Sequence, residues 1–315
     1  MNEFSVKLDS ETRRATPWLI LTTFLWGGSF VFNKIGFREI PPVTFLFLRF
    51  LLAAVMMALV CLPRLKKINR DIVRRGAMVG IALTAANLSF VIGVSGTSAT
   101  RAGFLNNLFV LVVPLLCYLI WRDKVDRLTF AGLCLAVSGI IALAAGGGFS
   151  RGDIFSTICA LFIALHIISV SKVLRSNDDV YLITLFQFIT VTILGGLLVL
   201  ILPQPEFHMG PVSAGALFYC ALFPTVICFT VQNTFQRFTT PTRASLIYTL
   251  DPVWSMLGGF ALLGERLGVW EALGCVLIFS SVVMPLTVKL VAERRALRLY
   301  LNQERQTEEA EASGS

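Results

Sequence analysis

Residues 98–125 read SATRAGFLNNLFVLVVPLLCYLIWRDKV, and residues 240–267 read TPTRASLIYTLDPVWSMLGGFALLGERL. The two stretches align without a gap at an offset of 142: Thr100-Arg101-Ala102 falls on Thr242-Arg243-Ala244, and Asp123-Lys124 on Glu265-Arg266. The same offset carries Gly132 onto Gly274 and Ser138 onto Ser280, and an offset of 138 brings Lys34 onto Lys172. Between its charged ends each copy is apolar for more than the roughly 20 residues that a helix needs to cross a hydrocarbon layer about 30 Å thick. The chain is therefore built from repeated membrane-crossing helices.

Of the 315 residues, 56% are hydrophobic and 15% charged, whereas soluble domains carry roughly a quarter charged. Apolar runs predict ten transmembrane helices at 17–36, 43–62, 76–97, 99–121, 128–146, 153–174, 180–202, 213–236, 240–264 and 267–290. Lipid offers no partners for backbone N–H and C=O groups, so each run must be a helix. The alternating segments of about ten residues expected of a membrane β-barrel are missing. The predicted organisation is a cytoplasmic tail (1–16), a first five-helix repeat (17–146), a second (153–290) and a cytoplasmic C-terminal tail (291–315). The first run lacks a small-residue cleavage site and reads as an uncleaved span rather than a signal peptide. The seven cysteines all sit in apolar runs without metal spacing and read as small hydrophobes.

Loop charge sets the orientation, because Lys and Arg concentrate in cytoplasmic loops. With the N-terminus inside, 21 of the 27 basic residues fall in cytoplasmic segments. Lys34, Arg38, Arg101, Arg151 and Arg266 fall outside, and Arg49 lies within helix two. The formal charge of +8 thus expresses topology and not nucleic-acid binding. Five helices is an odd number, so the second repeat enters from the opposite side. Inverted repeats place a binding site near the midplane, between the halves.

Polar residues within the spans mark candidates for that site. Asp251 lies about eleven residues into helix nine, where a charged carboxylate costs about 2.5–3.5 kcal/mol. Ser245, Tyr248, Asp251 and Ser255 share one helical face, and Pro252 frees a nearby carbonyl. Asp251 is expected to bind a substrate ammonium or to exchange protons during transport, the structural alternative being a carboxylate bonded to a neighbouring helix. Helix one offers Trp26, Ser29 and Asn33 on one face; Trp26 would stack on a ring or cation, or simply pack. Asn87, Asn106, Asn107, His166 and Gln232 complete the expected polar lining, though such residues often serve as interhelical glue. Arg49 would either snorkel outward or pair with Glu39, and Lys34 near the outer rim would gate the path or anchor its helix. Helices five and ten, poor in polar residues, are expected at the edge of the bundle as packing or homodimer contacts.

Several motifs together resemble EamA-type members of the drug/metabolite transporter superfamily over residues 17–290. They are Trp26-Gly27-Gly28-Ser29, Leu48-Arg49-Phe50, the stretch Thr97 to Ala102, Val113-Pro114-Leu115-Leu116, Leu250-Asp251-Pro252-Val253 and Leu263-Gly264-Glu265-Arg266-Leu267. The resemblance implies a ten-helix fold and transport of metabolites, often export of amino acids or drugs, across a bacterial inner membrane. The first copy departs from it, with Arg122-Asp123-Lys124 where Gly-Glu is common.

The expected function is secondary transport by alternating access, with an uncoupled facilitator or importer as the alternative. No GxxxxGK[ST] phosphate loop is present, so no nucleotide, metal or other cofactor is expected, and coupling falls to a gradient. An intramembrane enzyme would need a converging catalytic set. With two histidines, one of them (His208) in an outer loop, and a single acid at depth, catalytic residues are expected to be absent.

Overall fold

The structure, a computed structural model, describes residues 3–122, 127–145, 148–175, 178–203, 205–238, 241–281, 283–284, 287–288 and 291. Every regular element among them is helical. They are α1 (Glu3–Gly36), α2 (Pro42–Cys61), α3 (Arg70–Gly96), α4 (Ala99–Asn106), α5 (Phe109–Trp121), α6 (Arg127–Ala145) and α7 (Arg151–Val173). After these come α8 (Val180–Ile201), α9 (Pro211–Ala221), α10 (Cys228–Gln236), α11 (Pro241–Ile247), α12 (Asp251–Leu263) and α13 (Val269–Ser281). Among the described residues six stretches are long and apolar enough to cross a membrane: Pro42–Lys67, Arg70–Gly96, Ala99–Ile120, Arg151–Val173, Val180–Ile201 and Pro211–Gln236. The expected Asp123-Lys124 helix end and most of the C-terminal tail lie outside the described residues.

The helix ends follow local chemistry. Proline opens α2 and α9, where its missing N–H costs nothing. The Asn69 side chain accepts from the Ile72 N–H at 2.9 Å and starts α3. Ser98 accepts from the Arg101 N–H at 3.1 Å and starts α4. Ser150 and Asp153 cap one another's backbones at 3.0 and 2.9 Å, the reciprocal box that opens many helices. Helix α1 runs from Glu3 to Gly36, so it includes most of the segment expected as the cytoplasmic tail.

Three expected spans are not continuous α-helix. The span from Ala99 is interrupted at Asn107–Leu108, where Leu108 N–H donates to Leu105 O at 3.2 Å and Val110 N–H to Asn107 O at 3.1 Å. The span from Pro241 tightens into a 3-10 turn at Tyr248–Leu250. The offset of 142 places these breaks on one another, since Asn107 corresponds to Thr249. In the third span, Leu222–Ile227 forms a π-helical turn between α9 and α10. The single face expected for Ser245, Tyr248, Asp251 and Ser255 is therefore broken by the 3-10 turn, which resets the phase.

The two halves interleave. α3 packs mainly on α7 and α8, α2 on α8, α1 on α12, α9 and α10, and α4 and α5 on α7. Small residues set the approach. A Cβ at Gly96 would lie 2.9 Å from Gly152 Cα, and one at Gly80 would lie 2.7 Å from Thr190 Cβ. Among the described residues two large apolar cores result, beside two smaller clusters. One joins Leu105, Phe109, Ala164, Ile167 and Tyr248, the other Phe50, Leu83, Val170, Leu182 and Phe188, and Trp26 packs against both. The outside carries Leu119 at 72% exposure, Leu200 at 83% and Val269 at 85%, apolar surface of the kind a soluble monomer avoids. α6 and α13, expected as edge or dimer contacts, lie against each other within the chain. A Cβ on Gly139 would be 3.0 Å from Gly274 O, and one on Gly274 would be 2.9 Å from Gly139 O.

Both ends of the bundle are tied across the halves. At one end Arg101 donates to Asp153 at 2.7 and 3.2 Å, to Glu271 at 2.9 Å and to the Gly148 carbonyl at 3.1 Å. Beside it Glu265 accepts from Ala99 N–H (2.6 Å), Thr100 N–H (3.0 Å) and the Thr100 hydroxyl (2.7 Å). That carboxylate satisfies the free amides that open α4, where the helix dipole favours negative charge. Glu39 accepts from Gly210 N–H at 2.8 Å and from the Ser213 hydroxyl, bonds that hold its carboxyl below the usual carboxylate range. At the other end Arg75 pairs with Asp178 and, at 2.8 Å, with Asp71.

Gly264 closes α12 at φ 66°, and its repeat counterpart Arg122 closes α5 at φ 59°. A side chain in the left-handed region costs roughly 1–2 kcal/mol, part of which glycine's greater freedom offsets. Arg122 is exposed, so Arg122→Gly should stabilise the protein by up to about 1 kcal/mol, read as a higher unfolding temperature in detergent. Arg101→Ala should do the reverse. Asp153 is fully buried, and removing one partner of a buried pair costs about 3–5 kcal/mol. Adding Asp153→Asn should recover part of that loss; simple additivity of the two changes in thermal unfolding would contradict the pairing.

Candidate functional site

Between the two cores lies a cavity of about 100 Å³, room for several waters. It is lined from α1, α2, α3, α4, α5, α7, α10, the 3-10 turn and α12. Ten of the twelve residues singled out in the sequence reach it: Trp26, Ser29, Arg49, Asn87, Asn106, Asn107, His166, Gln232, Tyr248 and Asp251. Asn33 does not; it is fully buried and donates to Ser29 O at 2.6 Å and to Cys220 Sγ at 3.6 Å. Lys34, one residue on, lies instead within electrostatic reach of Glu265 at the end of the bundle.

The helix breaks position the polar lining. Asn106 and Asn107 end α4 at the interruption, and both are at most 4% exposed. Neither the oxygen nor the nitrogen of either amide has a hydrogen-bond partner. Tyr248 opens the matching 3-10 turn, and Asp251 begins α12 directly after it. Asp251 is half-buried, with an unpartnered Oδ1. Gly103 and Gly27 let α4 and α1 close on α12, where a Cβ at Gly27 would stand 3.0 Å from the Asp251 carbonyl. Buried polar groups almost always find partners. The amides of Asn106 and Asn107 beside this cavity depart from that rule.

The remaining lining is held in place by neighbours. The Trp26 indole N–H donates to the Pro224 carbonyl at 2.9 Å, and its ring meets Tyr248 edge-on at 5.2 Å and Phe229 at 5.6 Å. That carbonyl belongs to the π-turn, a form of helix that recurs at functional sites. Arg49 Nε–H donates to Thr225 in the same turn at 2.6 Å. The expected choice for Arg49, snorkelling or pairing with Glu39, is corrected. The guanidinium is 2% exposed and points inward, while Glu39 is taken by Gly210 and Ser213. His166 packs edge-on to Phe229 at 5.7 Å and leaves Nε2 unpartnered.

Two further polar residues of the same span, Gln236 and Thr225, support the lining. Gln236 accepts from Tyr248 at 3.2 Å and from Gln232 at 2.8 Å, and is itself fixed by donating to Ile167 O at 2.7 Å. The i, i+4 spacing of Gln232 and Gln236 was the available signal. Thr225, a polar residue within an apolar span, directs Arg49. Among the described residues no cluster of His, Cys, Asp or Glu is suited to hold a metal ion.

Comparison with known proteins fits this arrangement. The EamA-like transporter family matches residues 13–145 and again residues 150–287, one match for each half. An uncharacterized transporter of Archaeoglobus fulgidus is 28% identical over 266 residues, covering 84% of this chain and 83% of that protein. The uncharacterized inner membrane transporter YedA of Escherichia coli K12 is 26% identical over 277 residues, covering 83% and 87%. A solved structure described only as a protein crystal structure shares the fold, with a TM-score of 0.64 at 16% identity, over 87% of this chain and 98% of that one. With one copy of the family's unit in each half, the chain belongs to the EamA-like transporter family and is a multi-pass membrane protein that transports small molecules.

Proposed function

We propose that this chain is a secondary transporter that moves a small organic metabolite across the inner membrane by alternating access. In this reading ten helices form two inverted five-helix repeats, with both termini cytoplasmic. The crossings beyond the six long apolar helices are α1, α6, the pair α11–α12, and α13. The observation that carries the reading is the matched pair of helix interruptions, at Asn107–Leu108 and Tyr248–Leu250, opening onto one cavity. Interrupted helices at corresponding positions of two repeats are the usual construction of a midplane transport site.

The ties at the two ends of the bundle support the same reading. Arg101 with Asp153 and Glu271, and Arg75 with Asp178, each join a residue of one repeat to residues of the other. Rocking one repeat against the other would open one set while preserving the other. Asp251 is the one acidic side chain among the described residues lining the cavity, which makes it the natural proton carrier or cation site. Export is the direction proposed, on the family resemblance. The chain is not proposed as an enzyme: the cavity lining contains His166 and Asp251 but no nucleophile–base pair in contact.

A growth-resistance screen over amino-acid analogues and drugs, with the protein overexpressed, should identify a compound that wild type tolerates better than the empty strain. In vesicles, transport of that compound should depend on pH. Asp251→Asn should lower the flux about tenfold or more and flatten its pH dependence. Unchanged flux with unchanged pH dependence would remove Asp251 from the mechanism.

A further inference from the structure

Arg49 sits in an environment that ordinary packing does not explain. It lies on α2 with Leu46, Phe50 and Ala53 of its own helix buried around it, and is itself 2% exposed. A guanidinium carries five N–H donors. Here Nε–H donates to Thr225 at 2.6 Å, the guanidinium carbon stands 5.4 Å from the Phe50 ring centroid, and Nη1 has no partner. Among the described residues no carboxylate lies within ion-pair distance of it, Asp251 in the same cavity included. An unpaired charge held in apolar surroundings is strongly disfavoured unless a counter-charge arrives. Thr225 donates its own hydroxyl proton to the Cys220 carbonyl at 2.7 Å, so its oxygen is left to accept from Arg49. That bond fixes one edge of the guanidinium, and the unpartnered Nη1 belongs to a residue lining the cavity.

We propose that Arg49 is the anion-recognition residue of this cavity, and that the transported molecule carries a carboxylate that docks on its guanidinium. The planar fork of an arginine matches a carboxylate in a way that a lysine does not. The aromatic rings of Trp26, Phe30, Phe90, Phe229 and Tyr248 on the same cavity wall receive the apolar body of the molecule. The word "transported" rests on the reading above; the docking of a carboxylate on Arg49 does not.

Three probes share one aromatic body: 3-phenylpropionate, phenylalanine and phenethylamine. Against the purified full chain in detergent, the two carboxylates should raise the unfolding temperature at millimolar concentration and the amine should not. Arg49→Gln should weaken carboxylate binding about tenfold or more, with Arg49→Lys between it and wild type. Thr225→Ala leaves the charge in place but unaligned. It should weaken the same two probes by a smaller factor, a readout that stands even if Arg49→Gln fails to fold. Preference for phenylalanine over 3-phenylpropionate that disappears in Asp251→Asn would place an ammonium on that carboxylate and identify the ligand as a zwitterion. Equal binding of the amine and the acids overturns the proposal. So do acid binding unchanged in Arg49→Gln and Thr225→Ala, and the absence of binding by either acid. Carboxylate binding that depends on Arg49, with no flux of the same probes in proteoliposomes, would instead leave Arg49 in place as an anion site and overturn its assignment to the transported molecule.

Discussion

A backbone amide surrounded by hydrocarbon has no water to bond, and this constraint organises the whole molecule. It explains why the regular elements are helices and why their ends are capped by named groups. Ser98 serves α4, Asn69 serves α3, and Glu265 reaches across from the other half to serve α4 again. It also restricts where a helix may be interrupted. Breaks at 107–108 and 248–250 survive because protein surrounds them, and their tightened turns keep much of the backbone bonded. The polar groups that accompany each break have one common outlet, the cavity. A demand for internal hydrogen bonding thereby concentrates the exceptions in a single place.

The same economy shapes the electrostatics. The strongest charged contacts lie at the ends of the bundle, where Asp153 is buried with two bonds from Arg101 and further ones from Thr97 and the Ser150 amide. The interior charges, Arg49 and Asp251, are left incompletely partnered. Fully satisfied clusters rigidify, and unsatisfied ones are costly. Rigid ends around an unsatisfied centre is the distribution expected where binding, and not folding, completes the hydrogen bonding.

Much of this was legible in the sequence because the governing signals are local. Apolar run length pointed to the six long membrane helices, and charged residues at run ends to a repeat that the two family matches fit. Lone polar residues in mid-span pointed to the cavity; Asp251, Asn106, Asn107 and Arg49 all line it. What escaped depends on partners far along the chain. Asn33 shares a helical face with Trp26 and Ser29, yet the approach of α9 turns it towards Cys220. Arg49 could be weighed against Glu39 by nearness alone, while Gly210 and Ser213, about 170 residues away, had already claimed that carboxylate. The break at Asn107–Leu108 has no proline at the site and is visible only through its alignment with the turn before Asp251.

The π-turn at Leu222–Ile227 acts on the parts of its span that lie beyond it. Such a turn accommodates about one residue more than an α-turn, and each residue in a helix advances the phase by about 100°. The turn therefore works as an angular offset between two rigid rods. Before it, Cys220 faces Asn33; after it, Phe229 and Gln232 face the cavity and Gln236 reaches Tyr248. With an unbroken α-helix the second rod would arrive rotated by more than a quarter turn, and the glutamines would swing away from the site. One extra residue near Pro224 is thus a gearing between the packing that holds the bundle and the lining of the cavity.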